Sequence, residues 1–198
     1  MNTSTPVDQY LLATPYSRDA VLTRPCPIPA APGVYGWWFR RLPTSVDASN
    51  CQHRGGLTLL YAGISPTQPP ANGKSPSKQN IRTRITYHYR GNAEGSTLRK
   101  TLGCLLAEEL GIELRRVGSG KRRTFGQGEA ALSQWMAENA FVSWLAISEP
   151  WLLERTLFQK LDLPLNLQGN AHNPFHASLT AIRTAAEAKA RALPILRP

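Results

Sequence analysis

Two tyrosines lie in apolar segments typical of buried strands, and their phenols are the first candidates for chemistry. Tyr35 stands in GVYGWWFR and Tyr61 stands in LTLLYAGI. A strand tyrosine is more often a core residue with a satisfied hydroxyl than a catalytic group. If the two strands pair, however, Gly33 and Gly63 lie close to the tyrosines and leave the phenols room to meet a ligand. Both interpretations stay open at this point.

A basic pair lies on a predicted helix that follows these strands. Arg84 and His88 are four residues apart in IRTRITYH, so a helix places them on one face. There they could jointly hold a ligand and remove a proton from it. The alternative is a solvated basic face, which is favoured for Arg82 and Arg90.

A carboxylate and an amide follow far along the chain. Glu154 stands in a strongly apolar helical pattern, beside Trp151 and Leu153. Such a carboxylate lies at an exposed seam, pairs with an arginine or binds a metal ion, and composition alone favours the seam. Asn166 comes just after Pro164 and is, by itself, only a turn residue.

Three apolar segments and several helical patterns must position these residues. The first two segments suit a long antiparallel hairpin. Asn80 can cap the helix that carries the basic pair, and a second helix carries Glu154. The first thirty residues, dense in Pro and Thr, are expected to form an extended arm. The predicted strands are residues 33–40, 57–64 and 141–148.

The charge balance predicts an anionic partner. With 23 Lys and Arg against 13 Asp and Glu, the chain has a net charge of +10 and a pI of ≈ 10.0. This charge attracts a polyanion such as nucleic acid or an anionic membrane surface. The membrane is the weaker alternative, because no run approaches the roughly 18–20 apolar residues of a spanning helix. A cytoplasmic, nucleoid-associated protein without a zinc site or disulfide framework is expected.

In their order along the chain, the candidate residues resemble the GIY-YIG nuclease family. GVY at 33–35 and YAG at 61–63 stand where the family has its Gly-Ile-Tyr and Tyr-Ile-Gly strands. IRTRITYH matches the helix with the family's arginine, followed by a histidine in the homing and restriction branches. ERTLFQKLDLPLN matches the glutamate helix and the asparagine after a proline. Five elements in this order form a strong joint signal, although Ala62 replaces the usual isoleucine and residues 92–140 are an insertion.

The resemblance implies an α/β (α+β) domain, with a small three-stranded antiparallel sheet flanked by helices, that acts as a metal-dependent DNA endonuclease. It implies that Glu154 holds one Mg²⁺ or Mn²⁺ ion and that Arg84 stabilises charge on the phosphate. The two tyrosines would position the attacking water, and one of them or His88 would take its proton. Gly33 and Gly63 would keep the backbone clear for the phosphate. The implied catalytic residues are Tyr35, Tyr61, Arg84, His88, Glu154 and Asn166.

Two loops supply candidate contacts to the DNA backbone. The Gly-rich segment RRVGSGKRRTFGQG contains three successive basic residues, and the Pro-rich loop before the basic helix contributes two lysines. For any single one of these residues, a solvated surface charge is an equal alternative. The candidate DNA-binding residues are Lys74, Lys78, Arg82, Arg90, Lys121, Arg122 and Arg123.

The expected organisation is an N-terminal arm over residues 1–30, a nuclease domain over 31–170 and a C-terminal helix and tail over 171–198. No separate DNA-binding motif is visible in the sequence, so recognition is expected from the loops, the insertion or a homodimer partner. Two alternatives remain, a nuclease specific for single-stranded or branched DNA and a DNA-binding protein that does not cut. The intact set of motif residues argues against the second.

Overall fold

The fold is built around one antiparallel sheet. The computed structural model describes residues 4–71 and 77–197. Within these ranges, no helix combines the length and the apolarity that crossing a bilayer requires. The described strands are β1 (Tyr16–Ser17), β2 (Gly33–Phe39), β3 (Gln52–Arg54), β4 (Leu57–Ser65), β5 (Arg115–Val117), β6 (Arg122–Thr124) and β7 (Ala140–Ala146). The described helices are α1 (Pro6–Leu12), α2 (Arg18–Leu22), α3 (Ile81–Arg90), α4 (Thr97–Leu105), α5 (Ala107–Leu110), α6 (Gly128–Asn139), α7 (Pro150–Lys160) and α8 (His176–Ala192).

The main sheet has five strands in the order β1-β7-β2-β4-β3, and every neighbouring pair is antiparallel. The predicted α/β class and the three predicted strands are confirmed, since β2, β4 and β7 form the centre of this sheet. The predicted strand count was wrong, because β1 and β3 add edges of 2 and 3 residues. Segments this short cannot show the alternation that identifies a strand in a sequence.

The N-terminal segment is folded, contrary to the extended arm expected from its composition. Thr5 forms a capping box at the start of α1, in which its side chain and that of Asp8 each accept the other's backbone N–H. Pro6 occupies the first turn, where its missing N–H costs nothing. Tyr10 and Val21 are fully buried in the core. The Pro and Thr residues therefore include the signals that start a helix.

Two core layers lie on opposite faces of the sheet. Tyr35 and Trp37 of β2 pack with residues of α3, α4 and α6, whereas Val34 and Trp38 pack with residues of α1 and α7. This division follows from the alternation of side chains along a strand. All residues of β2 are consequently buried, and α3 and α7 hold the sheet between them.

The insertion forms a helical subregion with its own small hairpin. Residues 92–140 contain α4, α5 and α6, and β5 pairs with β6 between α5 and α6. The C-terminal segment adds to this hairpin, because the N–H of Leu196 donates to the carbonyl of Arg116 at 2.9 Å. The predicted C-terminal helix is present as α8, which contacts α4.

Arg99 of α4 ties this insertion to helix α3. Its side chain is 0% exposed and pairs with Oε2 of Glu129 at 2.6 Å. The guanidinium also donates to the carbonyl of His88, 3.3 Å away, in the last turn of α3. Oε1 of Glu129 accepts the backbone N–H groups of Ala93 and Phe125, at 2.9 and 3.1 Å. One buried ion pair thus joins α3, α4, α6 and the loop before α6.

Replacing Arg99 should test how strongly this pair holds the insertion. Removing one partner of a buried ion pair leaves the other charge uncompensated, so Arg99→Met is expected to lower the free energy of unfolding by about 3–5 kcal/mol. Urea denaturation measures this change. Arg41→Met is the matched control, because Arg41 is 61% exposed and pairs with Glu109 at 3.1 Å, a contact worth at most about 1 kcal/mol. Equal, small losses in both variants would show that the buried ion pair of Arg99 and Glu129 does not hold the insertion.

Candidate active site

One cleft collects most of the residues to which the sequence assigns chemistry. It has a volume of ≈ 820 Å³ and is lined by side chains of β2, β4, α3 and α7 and of the segment that follows α7. Glu154 is the only carboxylate among its described lining residues, and the guanidinium groups of Arg84 and Arg155 line it as well. The predicted catalytic residues that line the cleft are Tyr35, Tyr61, Arg84, Glu154 and Asn166.

Strand register places the two tyrosines on one face of the sheet. Tyr35 of β2 lies opposite Gly63 of β4, and Trp37 lies opposite Tyr61. The tyrosines are therefore diagonal neighbours, a separation that aromatic side chains can span. Both are buried, but both reach the cleft. Each tyrosine is therefore both a core residue and a residue that lines the cleft.

The two glycines expected to keep the backbone clear for a phosphate make room for protein atoms, and Gly63 also lines the cleft. A Cβ at Gly63 would lie 2.6 Å from Cζ of Tyr35, so the phenol ring lies directly over this glycine. A Cβ at Gly33 would lie 2.5 Å from the carbonyl oxygen of Leu145 in the neighbouring strand. Gly63 thus determines the position of a cleft side chain, whereas Gly33 permits close pairing of β2 with β7.

His88 is fully buried and lies outside the lining of the cleft. Its Nε2 is 2.9 Å from the hydroxyl oxygen of Tyr35, and its Nδ1 is 2.7 Å from Oγ of Ser96. Burial and the positive charges of Arg84 and Arg99 lower the pKa of His88 well below its ordinary value. The imidazole is therefore neutral near pH 7. It reaches the cleft only through Tyr35.

Arg84 supplies positive charge beside both phenols. One of its guanidinium nitrogens, Nη1, donates to the carbonyl of Gly95 at 2.8 Å, which fixes the side chain from the insertion. Burial raises the pKa of Tyr61 to about 12, and the charge of Arg84 opposes that shift. Burial also raises the pKa of Tyr35, again against the effect of Arg84. Both phenols are consequently protonated near neutral pH.

Glu154 is a partly buried carboxylate that forms no salt bridge with the described residues. Burial raises its pKa to about 7. No salt bridge within residues 4–71 and 77–197 includes Glu154. The described residues also contain no cluster of three His, Cys, Asp or Glu side chains able to hold a metal. A lone carboxylate fits Mg²⁺, which binds through one or two carboxylates and keeps several waters.

Asn166 fixes the backbone of the YAG motif. Its Oδ1 accepts the N–H of Ala62 at 2.9 Å, and its Nδ2 donates to the carbonyl of Ala62 at 2.7 Å. The amide thus pairs with β4 as a neighbouring strand would. Ala62 lies between Tyr61 and Gly63, so these two bonds hold the strand segment from which Tyr61 faces the cleft.

The basic residues predicted near α3 lie at the surface. Lys78, Arg82 and Arg90 are exposed, and Nε of Arg82 donates to the carbonyl of Ile28 at 2.6 Å. None of the three lines the cleft. Lys74 lies outside the described residues.

The basic residues of the insertion lie on the β5-β6 hairpin, away from the lining of the cleft. Lys121 and Arg122 are exposed, and Arg122 lines a separate cavity of ≈ 680 Å³ beside the C-terminal segment. The backbone N–H of Arg123 donates to Glu94 at 2.7 Å. A role of these residues in DNA binding stays a prediction.

The sequence interpretation missed several residues of the site. Trp151 and Arg155 line the cleft from α7, one turn before and one residue after Glu154, and helical spacing could have indicated Trp151. His172 lines it as well and donates from Nε2 to the carbonyl of Phe158 at 2.7 Å. The segment that contains His172 has no period, so no signal in the sequence indicates its position.

The fold and the cleft together define a nuclease domain, with phenols, a guanidinium and a carboxylate gathered beside an antiparallel sheet. A family model described as the GIY-YIG catalytic domain matches residues 33–185. This match spans most of the chain, which therefore belongs to the GIY-YIG family, and the resemblance indicated by the motifs is confirmed. Nucleases of this family generally depend on a divalent metal. Searches of curated proteins and of solved structures gave no match.

A double-mutant cycle tests the contact between Gly63 and Tyr35. The added methyl of Gly63→Ala meets the phenol ring, so this variant should lose about 1–3 kcal/mol of unfolding free energy. In a Tyr35→Leu background the ring is absent, and the cost of Gly63→Ala should fall. In a Tyr35→Phe background the ring stays, and the cost should persist. Urea denaturation of the wild type, the three single variants and the two double variants measures the coupling. If Gly63→Ala costs as much in the Tyr35→Leu background as in the wild type, the ring lies elsewhere.

Proposed function

We propose that this protein is a divalent-metal-dependent endonuclease that hydrolyses phosphodiester bonds of DNA. The observation that carries the proposal is the cleft itself, in which Glu154, a carboxylate without a salt bridge among the described residues, lines the same space as Arg84 and two phenols. A phosphodiester is anionic, and its hydrolysis needs positive charge at the phosphoryl oxygens and an oriented water. Membership of the GIY-YIG family supports the reaction class.

Glu154 is the residue that would hold the metal, as one Mg²⁺ or Mn²⁺ ion. Its raised pKa of about 7 reflects a carboxylate that burial destabilises in the absence of a cation. A hard divalent cation with few protein ligands suits this donor set. When bound, such an ion supplies Lewis-acid stabilisation of the phosphoryl group. Because a proton competes for the same carboxylate, assays above pH 7 are the appropriate condition.

Arg84 is proposed to bind the phosphate that is cut. A guanidinium presents a planar pair of donors that matches two phosphate oxygens. Its contact with the carbonyl of Gly95 orders the side chain before substrate arrives. Such preorganisation reduces the entropy lost when the phosphate binds.

Tyr35 and Tyr61 are proposed to orient the attacking water from one face of the sheet. In the reaction the water oxygen loses a proton and forms a bond to phosphorus, the bond from phosphorus to the leaving oxygen breaks, and the leaving oxygen gains a proton, so that no proton is lost or gained overall. Because both phenols are protonated near neutral pH, they first act as hydrogen-bond donors and acceptors. Asn166 contributes by holding the strand segment of Tyr61.

The net charge of +10 supports a DNA substrate. Lys78, Arg90 and Lys121 are exposed and take part in no salt bridge within the described parts of the chain. We propose that they contact the DNA backbone away from the cut. We propose that the protein acts in the cytoplasm, on nucleoid DNA, with residues 31–170 as the nuclease domain and with the N-terminal segment and α8 packed onto its core. Recognition through a homodimer is part of the same proposal.

A DNA-binding protein that does not cut is the second candidate. Such a protein would keep the positive charge but would have no use for a partly buried carboxylate that has no salt bridge within the described residues, because its burial costs free energy in the absence of a cation. The presence of Glu154 in the cleft therefore favours the nuclease. Specificity for single-stranded or branched DNA is compatible with the partly exposed Trp151 in the same cleft, since bases stack on aromatic side chains.

Glu154→Gln should separate cutting from binding. The substitution keeps the shape of the side chain and removes its charge, so cleavage in Mg²⁺ or Mn²⁺ at pH 8 should fall by at least about 10²–10³-fold. Affinity for DNA in EDTA should stay within a few-fold of wild type, because the basic surface is unchanged. Single-stranded, duplex and branched DNA are assayed in parallel for cleavage, and fluorescence anisotropy measures binding.

Glu149→Gln is the matched control, because Glu149 is an exposed carboxylate at the start of the same helix. It should cut at the wild-type rate. Equal cleavage by wild type and Glu154→Gln would place the activity elsewhere. Absence of cleavage by the wild type on all three substrates, with binding intact, would favour the non-cutting alternative.

A further inference from the structure

A buried chain of hydrogen bonds runs from the insertion to the cleft. Oγ of Ser96 lies 2.7 Å from Nδ1 of His88, and Nε2 of His88 lies 2.9 Å from the hydroxyl oxygen of Tyr35. Ser96 and His88 are both 0% exposed, and Tyr35 is 1% exposed. Water is therefore not available to satisfy a donor or an acceptor that the chain leaves open. Every proton along it must have a partner within the protein or, at Tyr35, in the cleft.

The position of one proton follows from the cap of helix α4. Ser96 is the N-cap of α4, and its Oγ accepts the backbone N–H of Arg99 at 3.1 Å. The serine hydroxyl still has its own proton to donate. Within the described part of the chain, Nδ1 of His88 is the acceptor that hydrogen-bonds to this hydroxyl. A neutral imidazole carries one N–H, so an acceptor at Nδ1 requires the proton at Nε2.

The opposite arrangement leaves a buried donor unsatisfied. If Nδ1 carried the proton, it would donate to Oγ of Ser96, and the serine hydroxyl would then have no acceptor. Nε2 would accept the hydroxyl proton of Tyr35. An unpaired buried donor costs free energy, so the first arrangement prevails.

We propose that Ser96 holds His88 as the Nε2–H tautomer, so that His88 donates to Tyr35 and Tyr35 directs its own hydroxyl proton into the cleft. The tautomer follows from the hydrogen bonds alone, whereas its role in catalysis rests on the proposed nuclease function.

The tautomer assigns different roles to the two residues. Tyr35 is the group that meets the attacking water or the phosphate, and it does so first as a donor. His88 is a positioning residue, whose N–H would also stabilise negative charge on the phenol oxygen. The alternative in which His88 takes the proton of the water is excluded, because its Nε2 already carries a proton. Ser96 is a second positioning residue, contributed by the insertion.

Nitrogen-15 NMR tests the tautomer directly, without substrate or metal. Two-bond ¹H–¹⁵N correlations of the full chain distinguish Nε2–H from Nδ1–H imidazoles. The signals of His88, one of 4 histidines, are assigned by their absence from His88→Gln. We expect at least about a tenfold excess of the Nε2–H form, from the cost of an unsatisfied buried donor. Predominance of the Nδ1–H form in the wild type would overturn the proposal.

Variants at Ser96 connect the tautomer to catalysis. Ser96→Thr keeps both the hydroxyl and the helix cap, and should keep the Nε2–H signature and cleavage within a few-fold. Ser96→Ala removes the donor to Nδ1, so the excess should shrink and kcat should fall about tenfold or more with KM little changed. An unchanged tautomer ratio in Ser96→Ala would overturn the role of Ser96. If Ser96→Ala does not fold, the spectra of the wild type and Ser96→Thr decide whether His88 is the Nε2–H tautomer.

The two proposals fail separately. An Nε2–H signature in a protein that cuts no DNA would overturn the nuclease proposal and leave the tautomer in place. Cleavage by a protein whose His88 is the Nδ1–H form would overturn only the inference about Ser96.

Discussion

The buried pair of Arg99 and Glu129 is the interaction on which the geometry of the site depends. Arg99 donates to the carbonyl of His88 at the end of α3, while Ser96, three residues earlier, bonds to the ring of the same histidine. The start of α4 therefore contacts α3 at two points, the backbone carbonyl and the imidazole ring of His88. Since α3 also carries Arg84, the insertion sets the position of a guanidinium that lines the cleft. The insertion is therefore packed against the helix that supplies Arg84 to the cleft.

A second constraint acts from the sheet. The register of β2 against β4 places Tyr35 over Gly63, where only a hydrogen leaves room for the ring. Asn166 then holds the neighbouring Ala62 by two hydrogen bonds. These contacts act on the backbone of one short strand segment, and they fix the two phenols relative to each other. The sheet thus positions the two phenols, the insertion positions Arg84, and α7 adds the carboxylate of Glu154 to the cleft.

Much of the site could be predicted from the order of short motifs. Tyr35, Arg84, Glu154 and their companions are far apart in sequence, and only the family pattern indicated that they meet. The long strands and the helix of Glu154 followed from apolar periodicity, which is a local property. The same reasoning missed β1 and β3, because two or three residues cannot show a period, and missed the helices of the first thirty residues, because composition outweighed their capping signals.

The remaining features depend on packing between elements, which a single sequence does not reveal. Arg99 stands beside Lys100 in TLRKTLG and looks like part of a solvated face, yet it is fully buried. Ser96 looks like an ordinary helix cap, and its contact with His88 exists only because α4 folds back onto α3. His88 itself was expected to face the ligand beside Arg84. It instead lies behind Tyr35, since a residue four positions along a helix is also one turn deeper along its axis.

The most direct test of the central claim is the location of the metal in crystals grown with DNA and Mn²⁺. Anomalous scattering from Mn²⁺ identifies the ion without reference to any assumed site. The account predicts one ion in the cleft, bound to the carboxylate of Glu154 and to a phosphate that Arg84 also contacts. DNA bound in the cleft with no ion at Glu154, or an ion bound only elsewhere on the protein, would contradict it.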